Sequence, residues 1–199
     1  MKLRDGSQGS LLADVILEHD PRSLEDYRIG PVAAQKLQGR HWKTYQHFNQ
    51  GASGQCVMHA IAHERASAPV VCKVSKSQII EGHRWAQKID EYPNDGPQFG
   101  TSLLACCKFV KAKGWAKAYH WCKNADDVLY SVAYRGPVVA VVDWPGSTGL
   151  HCICCTLIAP ENGTIEGPNS WPNEPHFRFK FDQFRRIFKQ GVVFSGRKC

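Results

Sequence analysis

Residues 49–63, NQGASGQCVMHAIAH, set two glycines and two small residues directly against an apolar run. Val57, Ala60 and Ile61 recur at helical spacing, which predicts a helix from Cys56 to about Arg65 with those three side chains turned inward. A flexible loop thus delivers a cysteine to the first position of a helix. A helix N-terminus carries about half a positive charge and unpaired N–H groups, and both favour thiolate over thiol. Gly51 and Gly54 let backbone approach a substrate closely and aim amide donors at it. Gln50, ahead of the cysteine, adds a side-chain amide suited to stabilising an oxyanion.

Outward from this helix the chain stays helical and then changes texture. Ser77 to Asp90 and Thr101 to Lys113 read as two further helices with Ser77 and Thr101 as N-caps, and Asn124 to Tyr134 reads as a fourth. Pro93, Asp95, Gly96, Pro97 and Gly100 form a turn-rich connection. After Gly136 and Pro137 the residues become β-branched: VVAVVDW at 138–144, HCICCTLIA at 151–159, GTIEGPNSW at 163–171 and HFRFKF at 176–181. A helical half followed by a strand half predicts an α+β fold with two lobes and a site in the cleft between them. On the other side of the loop, residues 1–48 are weakly periodic and interrupted by Pro21 and Pro31, with a short helix expected around Pro31 to Leu37.

A thiolate also needs an imidazole that orients it and later protonates the leaving amine, and the imidazole needs an orienting group. His151 opens a strand just after the turn PGSTG at 145–149, so its side chain can project from the strand mouth. Asn169 follows at the end of the next strand, with Trp171 two residues further on. Strand alternation puts His151, Ile153 and Cys155 on one face and Cys152 and Cys154 on the other. That divides the soft-ligand group and argues against a zinc site, as does the lack of a CxxC pair. His59 and His63 are expected on the exposed side of their helix, and no metal or cofactor is called for.

Composition narrows the class. A chain of 199 residues with 43% hydrophobic content closes one substantial core. The net charge of +7 is dispersed, and the densest basic group, Arg185, Arg186 and Lys189 with Arg197 and Lys198, lies among phenylalanines. This argues against nucleic-acid binding. No window reaches the roughly 18 apolar residues of a membrane span, and the first residues lack a signal peptide's apolar core. Nine cysteines, an odd number in a chain this long, predict free thiols in a reducing compartment, with Cys106, Cys107, Cys152, Cys154 and Cys155 as small core hydrophobes.

With Gln50, Cys56, His151 and Asn169 in this order, the sequence resembles the papain-like cysteine peptidases, in a compact form of bacterial or bacteriophage type. The run Q-G-x-x-G-x-C at 50–56, the strand GPVVAVVD at 136–143 and the triplet Asn169, Ser170, Trp171 carry the resemblance, which covers residues 40–181. It implies a helical N-terminal lobe at about 41–134 bearing the cysteine. An antiparallel sheet-rich lobe at about 135–199 would bear histidine and asparagine, and residues 1–40 would form an extension wrapping the core. Carried over, Cys56 is the nucleophile, His151 the general base and acid, and Asn169 the group holding the imidazole. Gln50 and the Cys56 N–H form the oxyanion hole, while Trp171 shields the histidine and Gly54 supports the loop.

The departures are Val57 for an aromatic residue, Ser53 for a disulfide cysteine and Leu150 for a polar residue before the histidine. Cys56 precedes His151 and Asn169 by 95 and 113 residues, against roughly 130 to 150 in the papain and cathepsin pattern. The resemblance implies hydrolysis of a peptide or protein substrate through a thioester, without metal. The substitutions leave open a papain-like domain that serves as a catalytically weak binding or structural module, for example beside other virion proteins of a phage. A cytoplasmic or virion-associated setting, without dependence on disulfides, is expected, and zymogen control is not expected from so short a leading segment.

Overall fold

A computed structural model describes residues 15–16, 36–90, 95–147 and 149–199. In chain order the elements are β1 (Val15–Ile16), β2 (Arg40–His41), α1 (Cys56–Arg65), α2 (Lys76–Gln87), β3 (Thr101–Ser102), α3 (Leu103–Ala112), β4 (Ala118–Cys122) and α4 (Ala125–Tyr134). They continue with β5 (Val138–Asp143), β6 (Leu150–Cys155), β7 (Leu157–Ala159), β8 (Thr164–Trp171), β9 (Glu174–Lys180), α5 (Phe181–Ile187) and β10 (Phe188–Ser195). The helix expected around Pro31 to Leu37 falls mostly outside the described residues, and Lys36 and Leu37 are irregular.

Three helices start one or two residues from their sequence-predicted positions because the capping side chain decides the boundary. Ser75, not Ser77, caps α2 in a reciprocal box with Gln78. Ser102 rather than Thr101 caps α3, leaving Thr101 free to extend as strand, and the Asn124 side chain caps α4.

Two antiparallel sheets of four strands form, in the orders β4-β10-β5-β6 and β2-β7-β8-β9, with β1 and β3 as a parallel pair. The chain passes from β6 to β7 through Thr156 alone, so one extended run serves both sheets. VVAVVD of β5 is continuously apolar because both faces are covered. Val139, Val141 and Cys152 pack against α1, α2 and α3, while Val138, Ala140, Val142, Ile153 and Cys155 pack against α4, β8 and β9. The expected division of His151, Ile153 and Cys155 from Cys152 and Cys154 follows from the same pleat. Gly167 lets β8 lie directly on β6, since a Cβ there would overlap the carbonyl of Cys154. Side chains such as Phe109, Phe177 and Phe184 are fully buried, each contributing about 1.5–3 kcal/mol.

α1 runs through the middle of the molecule, and all ten of its residues are buried. This overturns the exposed placement expected for His59 and His63, which are 4% and 1% exposed. The helix has no solvent face because β6, β8, α2 and α3 surround it. Its far end is tied down by residues distant in sequence. Glu64 meets Arg197 at 2.8 Å, Arg65 donates to Lys198 O at 2.9 Å, and the Arg65 guanidinium lies 4.1 Å from the Trp115 ring centroid.

Cys72 and Cys199 are joined in a disulfide, which corrects the expectation of nine free thiols. The parity of a cysteine count cannot show that two residues 127 apart in sequence meet where the chain after α1 runs beside residues 197–199. The other seven cysteines are buried and form no disulfide. No described helix is long and apolar enough to cross a membrane.

Candidate active site

Cys56 is the first residue of α1, and nothing in that turn offsets the helix dipole. The side chain of the preceding Gln55 makes no capping hydrogen bond, and the first turn holds no acidic residue. The loop ahead of Cys56 is set by close packing. Gly54 donates to Pro97 O at 2.9 Å, and a Cβ on Gly54 would stand 2.6 Å from the carbonyl carbon and oxygen of Phe99. Residues 95–100 therefore lie directly against the loop that carries the cysteine.

Gln50 ties this loop to the sheets. Its backbone N–H donates to Ser170 O at 2.9 Å, and the Ser170 hydroxyl donates to Gln50 Oε1 at 2.5 Å. With its oxygen held, the amide directs Nε2 the other way, where one N–H donates to Ser53 O at 2.6 Å.

His151 is the second residue of β6, and α1 packs across that strand. Asn169 sits in β8 where the register with β9 shifts between Pro168 and Trp171, an irregularity that re-aims the side chain. His151 Nε2 and Asn169 Oδ1 are 2.7 Å apart, and the same oxygen accepts the Ser170 backbone N–H at 2.8 Å. These contacts fix the tautomer. A backbone N–H only donates, so the atom it meets is the amide oxygen. An oxygen only accepts, so Nε2 carries the ring proton and the lone pair of the neutral imidazole lies on Nδ1. That nitrogen is buried without a hydrogen-bond partner. Burial holds the His151 pKa down to about 4, against the raising effect of the Asn169 hydrogen bond and with a further lowering from His59.

Two indoles enclose the ring. Trp171 stacks on His151 with centroids 4.2 Å apart, and Trp144 meets it edge-on at 5.2 Å and Trp171 at 4.8 Å. Sequence reasoning gave Trp144 and Ser170 no role. Trp144 follows β5 as one more apolar residue and Ser170 is the middle of a triplet, so only the tertiary contact singles them out.

Cys56 and His151 are both covered, 0% and 1% exposed. Near them, β1 pairs in parallel with β3, Val15 opposite Thr101 and Ile16 opposite Ser102, and also contacts β6. Around the site, His59 donates from Nδ1 to Gln55 O at 2.9 Å, and burial lowers its pKa to about 4. His63 Nε2 accepts the Phe48 N–H at 3.0 Å, and burial lowers its pKa to about 3. Burial also raises the thiols of Cys107, Cys152, Cys154 and Cys155 well above the ordinary range. Among the described residues, no three His, Cys, Asp or Glu side chains converge as a metal site.

This arrangement of helices and two antiparallel sheets is shared with solved cysteine proteases. Xylellain, a cysteine protease from Xylella fastidiosa, superposes with a TM-score of 0.72 at 14% identity, covering 96% of this chain and 98% of that one. Procathepsin L2 proteinase from the Tenebrio molitor larval midgut gives a TM-score of 0.64 at 15% identity, covering 92% and 78%. A procathepsin B from Trypanosoma congolense gives 0.57 at 9% identity, covering 95% and 84%. No family profile and no curated protein sequence matches the chain. The fold is that of the papain-like cysteine proteases, as the sequence resemblance implied.

Proposed function

We propose that this chain is a cysteine peptidase with Cys56 as nucleophile. The observation that carries the reading is the pair of hydrogen bonds converging on Asn169 Oδ1, which leaves His151 Nδ1 as a buried base beside the helix that begins with Cys56. In the proposed reaction the Cys56 thiol proton passes to His151 Nδ1, and the thiolate attacks the carbonyl carbon of a peptide bond. The Cys56 N–H and the second Nε2 hydrogen of Gln50 stabilise the oxyanion. Nδ1–H then protonates the amine as the C–N bond breaks, leaving a thioester. Water attacks that thioester, giving its proton to Nδ1, and the acid is released with the thiol restored.

Asn169 keeps the imidazole in the working tautomer, and Trp171 and Trp144 exclude water from the hydrogen bond between them. The first test is peptide-mapped alkylation with limiting iodoacetamide at a pH of about 6, where an ordinary thiol with pKa about 8.5 is almost wholly protonated. Rapid labelling of Cys56 alone, lost in His151→Ala, supports the reading.

The complete burial of Cys56 favours a second reading, a papain-like domain that serves as a binding module without turnover. Slow labelling of Cys56 even in a variant lacking residues 1–39 would select it.

A further inference from the structure

The last residue of α2, Gln87, is 4% exposed and spends its whole side chain on the segment that packs against Gly54. Its Nε2 donates to Gly96 O at 2.9 Å and lies 3.3 Å from Phe99 O and 3.4 Å from Gly100 O. Its Oε1 accepts the Gly96 N–H at 3.2 Å. One amide thus gathers both ends of residues 96–100 and has a single workable orientation, since the N–H fixes the oxygen and the three carbonyls fix the nitrogen. One turn earlier, His83, 1% exposed, adds a contact from Nε2 to Gly96 O at 3.4 Å. The end of the segment is fastened again where the Thr101 hydroxyl donates to Asp90 Oδ2 at 2.5 Å.

A turn of this composition has no shape of its own. It contains Gly96, Pro97 and Gly100, and Phe99 N–H to Gly96 O at 3.2 Å is its own backbone bond. Without Gln87 the carbonyls of Phe99 and Gly100 would lose this donor and the Gly96 N–H its acceptor, which makes Gln87 the group that selects one loop shape.

We infer that Gln87 is a positioning residue for peptide recognition. It holds residues 96–100 as the wall beside Cys56 against which an extended peptide lies, and it does so without touching the reacting atoms. The inference rests on the peptidase reading above. It separates two quantities that a general loss of structure would move together. Capture of a peptide at Cys56 depends on the wall, whereas the reaction of Cys56 with a small alkylating reagent depends only on the thiol and His151.

The test compares Gln87→Leu with the unsubstituted full chain, using iodoacetamide and a tripeptidyl chloromethyl ketone at the same pH and mapping both products to Cys56. The expected result is a fall of about tenfold or more in the ketone rate, with the iodoacetamide rate within about twofold. An unchanged ratio of the two rates, whether both hold or both fall, overturns the role of Gln87 while leaving the peptidase reading in place. Failure of iodoacetamide to label Cys56 in both the unsubstituted chain and the variant lacking residues 1–39 overturns the peptidase reading, and the inference with it; where only that variant is labelled, the same comparison is made in it. If Gln87→Leu does not fold, Gln87→Glu serves instead. It keeps the size and the acceptor for the Gly96 N–H but sets an oxygen against the three carbonyls, and the same change in ratio is expected.

Discussion

Replacing Gly54 with alanine tests how closely the cysteine loop and residues 95–100 are fitted to one another. The added carbon would stand 2.6 Å from the Phe99 carbonyl carbon and oxygen and 2.9 Å from Gly100 N, about 0.8 Å short of the 3.4 Å at which ordinary contact begins. All three atoms are backbone, so no side chain can swing aside. Gly54 has no positive φ, so the substitution brings no torsional strain and the conflict is one of space alone.

Overpacking of this kind costs about 1–3 kcal/mol, and separation of the segments also loosens the Gly54 N–H to Pro97 O bond, worth about 1 kcal/mol. At about 2–4 °C per kcal/mol for a chain of this size, a loss of about 2–4 kcal/mol lowers Tm by about 5–15 °C. Differential scanning calorimetry reads that shift, and the rate of peptidyl ketone capture at Cys56 reads the displaced wall. A Tm within about 1 °C of the unsubstituted chain would refute the packing argument. A lowered Tm with unaltered ketone capture would refute the claim that residues 95–100 form part of the recognition surface.

Asn169→Ala removes the acceptor for His151 Nε2 and strands a buried N–H, a cost of about 1–3 kcal/mol. Cys56 alkylation at about pH 6 is expected to fall about tenfold or more with far-UV circular dichroism unchanged, and an undiminished rate would remove Asn169 from the site. Arg197→Ala leaves Glu64 unpaired in the interior, which costs about 3–5 kcal/mol; thermal melting should show the loss, and an unaltered Tm would mean that the pair is neutral in balance. Reduction of Cys72–Cys199, which closes a span of 127 residues, is expected to destabilise the chain by about 2–5 kcal/mol, seen as a lower urea midpoint in dithiothreitol.

Acid should also destabilise the protein. His59 and His151, held to about 4, and His63, held to about 3, lie below their unfolded value of 6.5, so the unfolded chain binds more protons in between and stability is lost as pH falls through that window. His59 and His151 each contribute up to about 3 kcal/mol and His63 up to about 5 kcal/mol, while Glu64, raised to about 7 chiefly by burial, works in the opposite sense. A urea midpoint no lower at pH 4.5 than at pH 7 would refute the sum.

The parts of the fold that were legible in the sequence are those set by local pattern. β5, β6, β8 and β9 follow from their β-branched runs, and α1 from its periodicity. β4 and β10 were not legible. AYHWC and FKQGVVFS mix polar and apolar residues, and they become strands only because β10 inserts between β4 and β5, a pairing made far along the chain. His59 and His63 misled for a related reason. Polar residues on a helix read as a solvent face, whereas here one ring answers Gln55 O and the other answers the Phe48 N–H inside the core.

In the site, Cys56, His151, Asn169 and Gln50 could be chosen because nucleophilic chemistry demands those groups in some order, and the structure brings His151 to Asn169 and Gln50 to Ser170. Gln87 and Trp144 lay outside that reach. A glutamine at a helix end and a tryptophan after a strand carry no chemical demand, and their partners are the backbone of one loop and the rings of two other strands.

The indoles of Trp171 and Trp144 lie within 4.2 Å and 5.2 Å of the His151 ring, closer than most probes can be attached. An imidazolium quenches indole emission by accepting an excited-state electron, and a neutral imidazole does so far less. Protonation of His151 is therefore written into the ultraviolet fluorescence of the unlabelled protein. An acid titration of the emission, with Trp171→Phe subtracting the stacked ring, follows the charge on this one histidine without substrate, inhibitor or isotope.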